Sequence, residues 1–514
     1  MSSQRFLLPI FLSCFIVWGA ATEYWVRPES TSDCNTRQPC LTLSEYLQNT
    51  SHFFTSNSVL HFLSGNHTVS KTTWVIVQDV ENISLVGSAG HATVQCNGRL
   101  SFTFERVHGL QISSVCLIRC GLVVTDDMRW ISNPGPSIAL LFVDCSSVVL
   151  RNVTVMESYG YGLLGYNMMM AELNHCLFHH NYWRPKVHSN MHSSPKNNSL
   201  VEHKAGGNAL FVYTPVLPFH PIGPLNILHS EFAYGRNLYE TSAPGSELLH
   251  GGGGLGIHIE AGYSSVRAHD MRYLTFKVIT NITIYNCSIY RNTASIGANM
   301  LLAVHMPLGN SMTVHINHCK FFGGKSTSKG GGFMLWIDIE TLASPYTESD
   351  NFTVYLANSE LYGNSAADGS GIYLGVENVC ISIIKIIIEQ CLCHNNNGEY
   401  GSGMYISSES TINKLWMWIS DVTFAGNIAK FAGGAIFIDF TEIDKNLRMC
   451  DATFFMIGLL TSAFIQNTAY SGGTAVYIRA PVDSNVFQMT IVSTIFHRNF
   501  NPDDILQRKY EDAW

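Results

Sequence analysis

Short stretches in which apolar and polar residues alternate recur along the chain. Leu110–Val115, Val148–Val155 and Ala435–Asp439 show this alternation, and the segments 381–388 and 415–419 are almost entirely apolar. A period of two residues indicates a β-strand with one buried face, and short apolar runs indicate strands that are buried more fully. Because no stretch between these strands has the length and period of an amphipathic helix, the pattern predicts an all-β protein.

A turn motif that joins the strands recurs in nine copies. The full pattern is an apolar anchor, two variable residues, Asn, a short loop, a Gly pair and a strand, and some copies depart from it at the Asn or at the Gly pair. The two best copies are formed by Phe424, Asn427, Gly433 and Gly434, and by Phe464, Asn467, Gly472 and Gly473. The other predicted anchors are Phe178, Phe232, Ile289, Phe322, Leu361, Leu392 and Phe496, and the repeat asparagines after them include Asn292, Asn364, Asn395 and Asn499, with Lys325 in this place after Phe322.

The residue types of this motif suit the corner of a stacked coil. The anchor ends a strand and points inward, and Asn tolerates a left-handed backbone while its amide bonds the equivalent amide one rung along. The Gly pair permits a sharp turn and a close approach of rungs. It follows 8 or 9 residues after the anchor in the regular copies, although the anchors are 31 to 40 residues apart. A fixed turn in a coil of variable length predicts a β-solenoid, a single right-handed parallel β-helix over residues 61–500.

The two ends of the sequence carry different signals. Residues 1–21 contain a short apolar run with small residues at Gly19 and Ala21, which predicts a secretory signal peptide. Residues 22–60 form a predicted N-terminal cap, in which Thr42–Glu45 is a capping box that opens a short helix, and Cys34 and Cys40 form a local disulfide. Residues 501–514 are a polar tail that either covers the open sheet edge or marks a truncated chain.

Composition narrows the class of partner. Charged residues make up 13% of the chain, about half the usual ~25%, as expected where like charges would otherwise stack about 4.8 Å apart. The net charge of −8 argues against nucleic acid and anionic membranes. No later stretch reaches the length of a membrane span. Eight sequons predict glycosylation at Asn49, Asn66, Asn82, Asn152, Asn197, Asn281, Asn286 and Asn351.

The motif of Phe424–Asn427 with Gly433–Ile436 resembles the repeats of the bacterial polymorphic outer-membrane proteins, which are β-helical passenger domains implicated in adhesion. The segment from Cys34 to Leu47, with its paired cysteines and Thr-Leu-x-x-Tyr-Leu, is similar to the start of pectin-lyase-like surface proteins of animals. The resemblance covers roughly residues 24–500. It implies a β-helix and a role at a surface, and no membrane barrel follows the repeats in this sequence.

Pectin hydrolases with this fold combine an Asp pair, a Gly-His-Gly and an Arg-x-Lys on one face. This chain has Asp126–Asp127 and Asp503–Asp504 but lacks the other two elements. Asp126 and Asp127 lie close to Trp130, which would suit sugar binding, although we prefer to interpret them as part of a solvated loop. The chemistry of the Asp pair therefore predicts no active site.

Three other groups could carry chemistry. His175, His179, His180, His188, His192 and His203 cluster in one insertion, but their spacing is irregular and no carboxylate or Cys pair completes a metal-binding set. Gly251–Gly256 contains G-x-G-x-x-G but precedes a strand, whereas a dinucleotide site needs a helix. Cys391 and Cys393 could form a redox or metal pair, but Cys176, Cys287, Cys319 and Cys391 all lie shortly before an anchor, which favours a buried structural column.

The sequence therefore predicts no catalytic, cofactor-binding or metal-binding residue and no cofactor. It favours a secreted or cell-surface protein that recognises extracellular glycans or proteins without catalysis. The alternative is a polysaccharide lyase, hydrolase or epimerase of the pectin-lyase-like type.

Overall fold

The structure is a computed structural model that describes most of the repeat region. The described residues are 22–29, 40–48, 54–88, 92–122, 137–182, 206–213, 223–237, 252–260, 280–305, 312–338, 351–377, 383–408, 414–440, 454–479 and 487–501. Their strands form four sheets, which we name A, B, C and D, and every strand pairing is parallel.

Sheets A and B contain the first two strands of each coil. Sheet A has 15 strands: Cys40–Thr42, Thr22–Arg27, Ser58–Phe62, Glu81–Gly87, His108–Ser113, Val148–Arg151, Ala171–Asn174, Leu225–Leu228, Thr280–Tyr285, Met312–Asn317, Asn351–Ala357, Ile383–Glu389, Lys414–Ser420, Phe454–Leu460 and Phe487–Val492. Sheet B has 13: Gly65–Thr68, Ala92–Gln95, Val115–Ile118, Thr154–Met156, Leu177–His179, Glu231–Ala233, Ser288–Tyr290, Lys320–Phe322, Glu360–Tyr362, Leu392–His394, Thr423–Ala425, Ala463–Ile465 and Ile495–His497.

Sheets C and D complete the coil. Sheet C has 12 strands: Thr73–Gln78, Leu100–Glu105, Ile138–Val143, Tyr161–Tyr166, Gly207–Tyr213, Leu255–Glu260, Met300–His305, Phe333–Asp338, Ile372–Glu377, Met404–Ser408, Ile436–Asp439 and Val476–Arg479. Sheet D has seven short strands between B and C: Arg236–Asn237, Thr293–Ala294, Lys325–Ser326, Ser365–Asp368, Asn397–Tyr400, Ile428–Ala432 and Thr468–Ala469. The predicted all-β parallel β-helix is confirmed.

Alternation along each strand decides which side chains enter the core. In Ile383–Glu389, the side chains of Ile384, Ile386 and Ile388 are buried, while Lys385 and the other residues between them point outward. Neighbouring coils are in register, so that Ile384 pairs with Leu415 of the next coil. Inward apolar residues therefore stack into continuous columns, and burial of these columns is the main stabilising contribution.

The N-terminal segment contains the predicted helix, Leu43–Gln48. Its capping box is formed as expected: the Thr42 amide donates to the Glu45 carboxylate at 2.8 Å, and the Glu45 amide donates to the Thr42 hydroxyl at 3.3 Å. Leu43, Tyr46 and Leu47 of the helix are buried. The same segment also contributes strands Thr22–Arg27 and Cys40–Thr42 to sheet A. Its role as a cap over the end of the solenoid stays a prediction.

Disulfide bonding is observed at two places in the described residues. Cys96 and Cys120 form a disulfide between successive coils, with a Cα–Cα distance of 4.8 Å. Cys40 is also disulfide-bonded, but Cys34 lies outside the described residues, so their pairing stays a prediction. The signal peptide 1–21 and most of the polar tail 501–514 lie outside them as well. Where the chain is described, no helix is long and apolar enough to cross a membrane.

Candidate functional site

Several candidate residues lie outside the described residues. They are Asp126, Asp127, His188, His192, His203, Gly251, Asp503 and Asp504, together with the sequon residues Asn49 and Asn197. Cys34 lies outside them too, and only the backbone of Asn351 is described. The remaining candidates can be placed in the fold.

The repeat asparagines form a continuous hydrogen-bonded ladder at the corner that follows sheet B. Its members are Asn181, Asn208, Asn292, Asn299, Asn364, Asn396, Asn427, Asn467 and Asn499. Each Nδ2 except that of Asn499, the last member, donates to the Oδ1 of the next residue at 2.9 to 3.1 Å. A second hydrogen of each amide goes to a backbone carbonyl, as from Asn427 to Cys393 at 2.9 Å. The ladder is structural, because its polar atoms are buried and mutually satisfied.

Two ladder members come from a different strand than the motif predicts. Where Gly235 and Gly324 replace the repeat Asn, the gap is filled by Asn208 and Asn299 at the start of sheet C strands. A Cβ added at Gly235 would lie 2.8 Å from the Asn208 amide nitrogen, and one at Gly324 would lie 2.6 Å from that of Asn299. Glycine at these positions makes room for the substitute amide.

The predicted register is wrong by one residue in two copies. The inward anchors are Phe321 and Cys393, because Phe321 pairs with Leu361, which pairs with Cys393. Phe322 and Leu392 therefore point outward, Lys325 is not in the ladder, and Asn396 takes the place predicted for Asn395. A slip of one residue exchanges the two faces of a strand.

The predicted backbone conformation of the repeat Asn is also wrong. The left-handed residue is the one before it, such as Arg291 or Asn395, each of which has φ +53°. In the Gly pairs, the structural equivalent of Gly433 is Gly473 and not Gly472, since Ile436 pairs with Val476. The buried amide at this corner therefore belongs to a residue in ordinary backbone geometry.

The histidines that the structure describes do not converge. His175 stacks on His229 with ring centroids 4.9 Å apart, and His179 Nε2 lies 2.8 Å from Glu231 Oε1. His180 stacks on Tyr234 instead. Among the described residues, no group of three or more His, Cys, Asp or Glu side chains could hold a metal ion.

The Gly-rich segment and the cysteine pair both have packing roles. A Cβ at Gly254 would lie 2.4 Å from the Asn299 carbonyl oxygen, and the strand Leu255–Glu260 follows it directly. Cys391 and Cys393 are buried, and the Cys391 thiol donates to the Glu389 carbonyl at 3.2 Å. Burial raises the pKa of Cys391 to about 12. Because the reactive form of cysteine is the thiolate, this thiol is unreactive at neutral pH.

The outer face of sheet B carries an aromatic column. Tyr290, Phe322, Tyr362 and His394 stack along the solenoid axis, with centroids 4.5, 4.9 and 5.1 Å apart and interplanar angles of 10° or less. These rings cover one another's faces, so the column offers solvent mainly ring edges. It therefore suits stacking of coils more than stacking of a ligand.

The outer face of sheet A carries two large exposed aromatic side chains. Trp416 and Trp418 point outward from the same strand and are 40% and 39% exposed. The Trp418 ring covers Gly458 of the next coil, since a Cβ added there would lie 3.1 to 3.3 Å from three adjacent ring atoms. The Lys385 ammonium lies 5.3 Å from the Trp416 ring centre. We call Trp416, Trp418 and Lys385 the tryptophan platform.

A perturbed carboxyl group lies where sheets D and C meet. Burial raises the pKa of Asp368 to about 6, with Glu399 and Asp439 also raising it and Lys329 opposing them. The Lys329 ammonium lies 4.6 Å from the Trp336 ring centre. A carboxyl group that titrates near neutrality could serve as a general acid or base.

Five of the predicted glycosylation sites lie at the surface of the described solenoid. Asn66, Asn82, Asn152, Asn281 and Asn286 have exposed side chains. Asn152 and Asn286 occupy left-handed corner positions between sheets A and B. Glycans attached there would project away from the coil.

No family model and no curated protein matches the chain. The structure is similar to the A-module of the mannuronan C-5 epimerase AlgE6 from Azotobacter vinelandii, at 10% identity and a TM-score of 0.34, over 88% of this chain and 93% of that one. It is also similar to pectate lyase Pel9A, at 10% identity and a TM-score of 0.29, over 90% of this chain and 79% of that one. A third similar structure is PfbA, a surface adhesin of Streptococcus pneumoniae, at 11% identity and a TM-score of 0.24, over 85% of this chain and 83% of that one. This level of similarity assigns neither an activity nor a ligand to the chain.

The tryptophan platform was not predicted as a site from the sequence, although the strand containing it was. Its signal was present in Leu415–Ile419, where both alternating sets of residues are apolar. In a strand with one solvent-facing side, large apolar residues on that side indicate a contact surface.

Proposed function

We propose that the chain is a secreted recognition protein that binds extracellular glycans on the outer face of sheet A without changing them. The observation that carries this proposal is the tryptophan platform. Two indoles on one strand are each about two-fifths exposed, at 40% and 39%. Exposed aromatic clusters of this kind mark interaction sites.

The geometry of the platform suits a sugar ring. Residues two apart on a strand are separated by roughly 6.6 Å, so Trp416 and Trp418 can contact adjacent parts of one extended saccharide. The apolar face of a pyranose packs on an indole, and the hydroxyl groups stay in water. Lys385 beside Trp416 adds a cation that can pair with a carboxylate or sulfate of the ligand.

Secretion is part of the same proposal. It is supported by the leader-like residues 1–21, by the exposed sequon asparagines and by the Cys96–Cys120 disulfide. Disulfides persist in oxidising compartments outside the cytosol. A signal peptide, glycans and the disulfide are expected together in an extracellular protein.

The test is a glycan-binding screen with the secreted full chain and the variant W416A/W418A. We expect the double variant to lose at least tenfold in affinity for the best ligand, because both exposed indoles are removed. The matched control is Trp74→Ala: Trp74 is 47% exposed, but it lies on sheet C and its Nε1 donates to Thr103 at 2.7 Å. Equal losses in both variants, or none in the double variant, would contradict the proposal.

A carbohydrate-active enzyme is the second candidate, and Asp368 favours it. A partly buried carboxyl group with a pKa raised to about 6 lies near Lys329, and Tyr405 donates to Asp439 at 3.3 Å close by. The test is incubation of the purified protein with acidic polysaccharides. Depolymerisation or epimerisation that Asp368→Asn abolishes would establish this function. Depolymerisation abolished by Asp126→Ala and Asp127→Ala would instead place the active site at the predicted Asp pair.

A further inference from the structure

Three exposed cations lie on successive coils at the corner between sheets B and D. They are Arg236, Arg291 and Lys325, one from each of three neighbouring rungs. In sheet D, Arg236 pairs with Thr293 of the next rung, and Thr293 pairs with Lys325 of the rung after it. Arg291 lies two residues before Thr293 on the middle rung. All three side chains are exposed. We call this group the basic strip.

The basic strip has no acidic partner among the residues that the structure describes. Several other exposed cations of the described residues pair with a carboxylate, including Arg106 with Asp79 at 2.6 Å and Lys430 with Glu399 at 3.6 Å. Arg236, Arg291 and Lys325 form no ion pair with any residue that the structure describes. Within the described part of the chain, no carboxylate therefore neutralises these three charges.

Neighbouring rings hold the central arginine in place. Arg291 Nη1 donates to the Tyr234 hydroxyl at 2.6 Å, and its guanidinium carbon lies 5.7 Å from the centre of the Tyr234 ring. Tyr234 in turn stacks on His180, with centroids 4.5 Å apart and an interplanar angle of 4°. One edge of the guanidinium is fixed by these contacts, so the remaining N–H groups can meet a ligand with little further loss of side-chain entropy.

We propose that the basic strip binds a linear acidic polysaccharide that runs along the solenoid axis. Rungs repeat at about 4.8 Å, so Arg236 and Lys325 are separated by roughly 10 Å, with Arg291 between them. An extended glycan with a sulfate or carboxylate on successive sugars presents anions at a comparable interval. Sulfate and carboxylate share the negative oxygens that arginine recognises. The site lies on a different face from the tryptophan platform and does not depend on it.

The experiment measures binding of the secreted full chain to heparin, polygalacturonate and dextran, which are sulfated, carboxylated and neutral. The test variant is R236Q/R291Q/K325Q. The control is R106Q/R151Q/K430Q, which removes the same charge from cations that pair with Asp79, Glu172 and Glu399. We expect the test variant to lose at least tenfold in affinity for one acidic polymer and the control less than twofold. W416A/W418A should keep this binding, which separates the strip from the platform.

The dependence of binding on salt tests whether charge drives it, and the preferred polymer shows which anionic group is recognised. Binding through the strip should weaken as NaCl is raised from 50 to 300 mM, because the charges are exposed to screening. The preferred acidic polymer identifies sulfate or carboxylate as the recognised group. Equal losses in both triple variants, binding of dextran as tight as that of the acidic polymers, or equally tight binding of single-stranded DNA would overturn the proposal.

Discussion

At the scale of single residues, the asparagine ladder shows how little the chain depends on an unbroken motif. The ladder needs one amide per step, and Asn208 and Asn299 supply it where the repeat has glycine. Each member both donates and accepts, so a missing amide would leave buried backbone groups without partners. Such groups cost much more when orphaned than they contribute when paired.

The adjacent pair Asn396 and Asn397 tests this argument. Asn396 is buried and its Nδ2 donates to Leu361 and Asn427 at 3.0 Å each, whereas Asn397 is exposed. We expect Asn396→Ala to lower the free energy of unfolding by about 2 kcal/mol, and Asn397→Ala to change it by less than about 0.5 kcal/mol. Denaturant unfolding followed by circular dichroism would measure both. If the two variants lowered the free energy of unfolding equally, Asn396 would not be the member of the ladder in this coil.

The same region shows what could be read from the sequence. Phe424 and Phe464 gave the correct register because each is a single aromatic residue three positions before an isolated Asn. In Phe321–Phe322 either phenylalanine could be the inward anchor, and in Asn395–Asn397 any of the three asparagines could be the ladder residue. The local pattern alone could not decide between them. Cys393 was also not recognised as an anchor. The direction of the tryptophans became clear only once the inward faces of neighbouring strands were known.

At the scale of elements, the end of one sheet D strand holds a carboxyl group with a raised pKa. Asp368 ends the strand Ser365–Asp368 of sheet D, and the adjoining Lys329 forms a parallel bridge with it. Because the side chain is partly buried there, the neutral carboxyl group is favoured and its pKa is raised to about 6. A surface carboxylate on the middle of an exposed strand would not meet this condition.

This raised pKa predicts a pH dependence of stability. Between about pH 4 and 6, the folded state binds a proton that the unfolded state has lost, so stability falls as the pH rises through this window. The full shift of two units would be about 3 kcal/mol, and partial exposure reduces it to about 1–2 kcal/mol. Asp368→Asn should remove this fall and stabilise the protein at pH 7.5.

Unfolding midpoints at pH 4.5 and 7.5 would measure this effect. Asp144→Asn, at an exposed corner, is the matched control and should leave the difference between the two pH values unchanged. If Asp368→Asn kept the full pH dependence of the unmodified protein, another group would be responsible for it.

At the scale of the whole molecule, the two ends of the described solenoid differ. Near the N-terminal end, Val26, Leu43 and Leu47 are buried. In the last described coil, Ile491 and Phe496 occupy inward positions but are each 50% exposed. In a solenoid each coil is stabilised mainly by its neighbours. The last described coil therefore gains less from its core residues than a central coil does.

Matched phenylalanines at one position of the repeat make this difference measurable. Phe424 and Phe496 are the outer members of a stack of three rings around Phe464, with centroid distances of 5.2 and 4.9 Å, and Phe424 is fully buried. Phe424→Ala should cost about 3–5 kcal/mol, and Phe496→Ala roughly half of this, because half of its surface is already in water. Chemical denaturation gives both values, and hydrogen exchange should show Ile495–His497 opening before Thr423–Ala425. If the two substitutions cost the same, Phe496 must be covered in solution, and the covering group would then be sought by crosslinking from this coil.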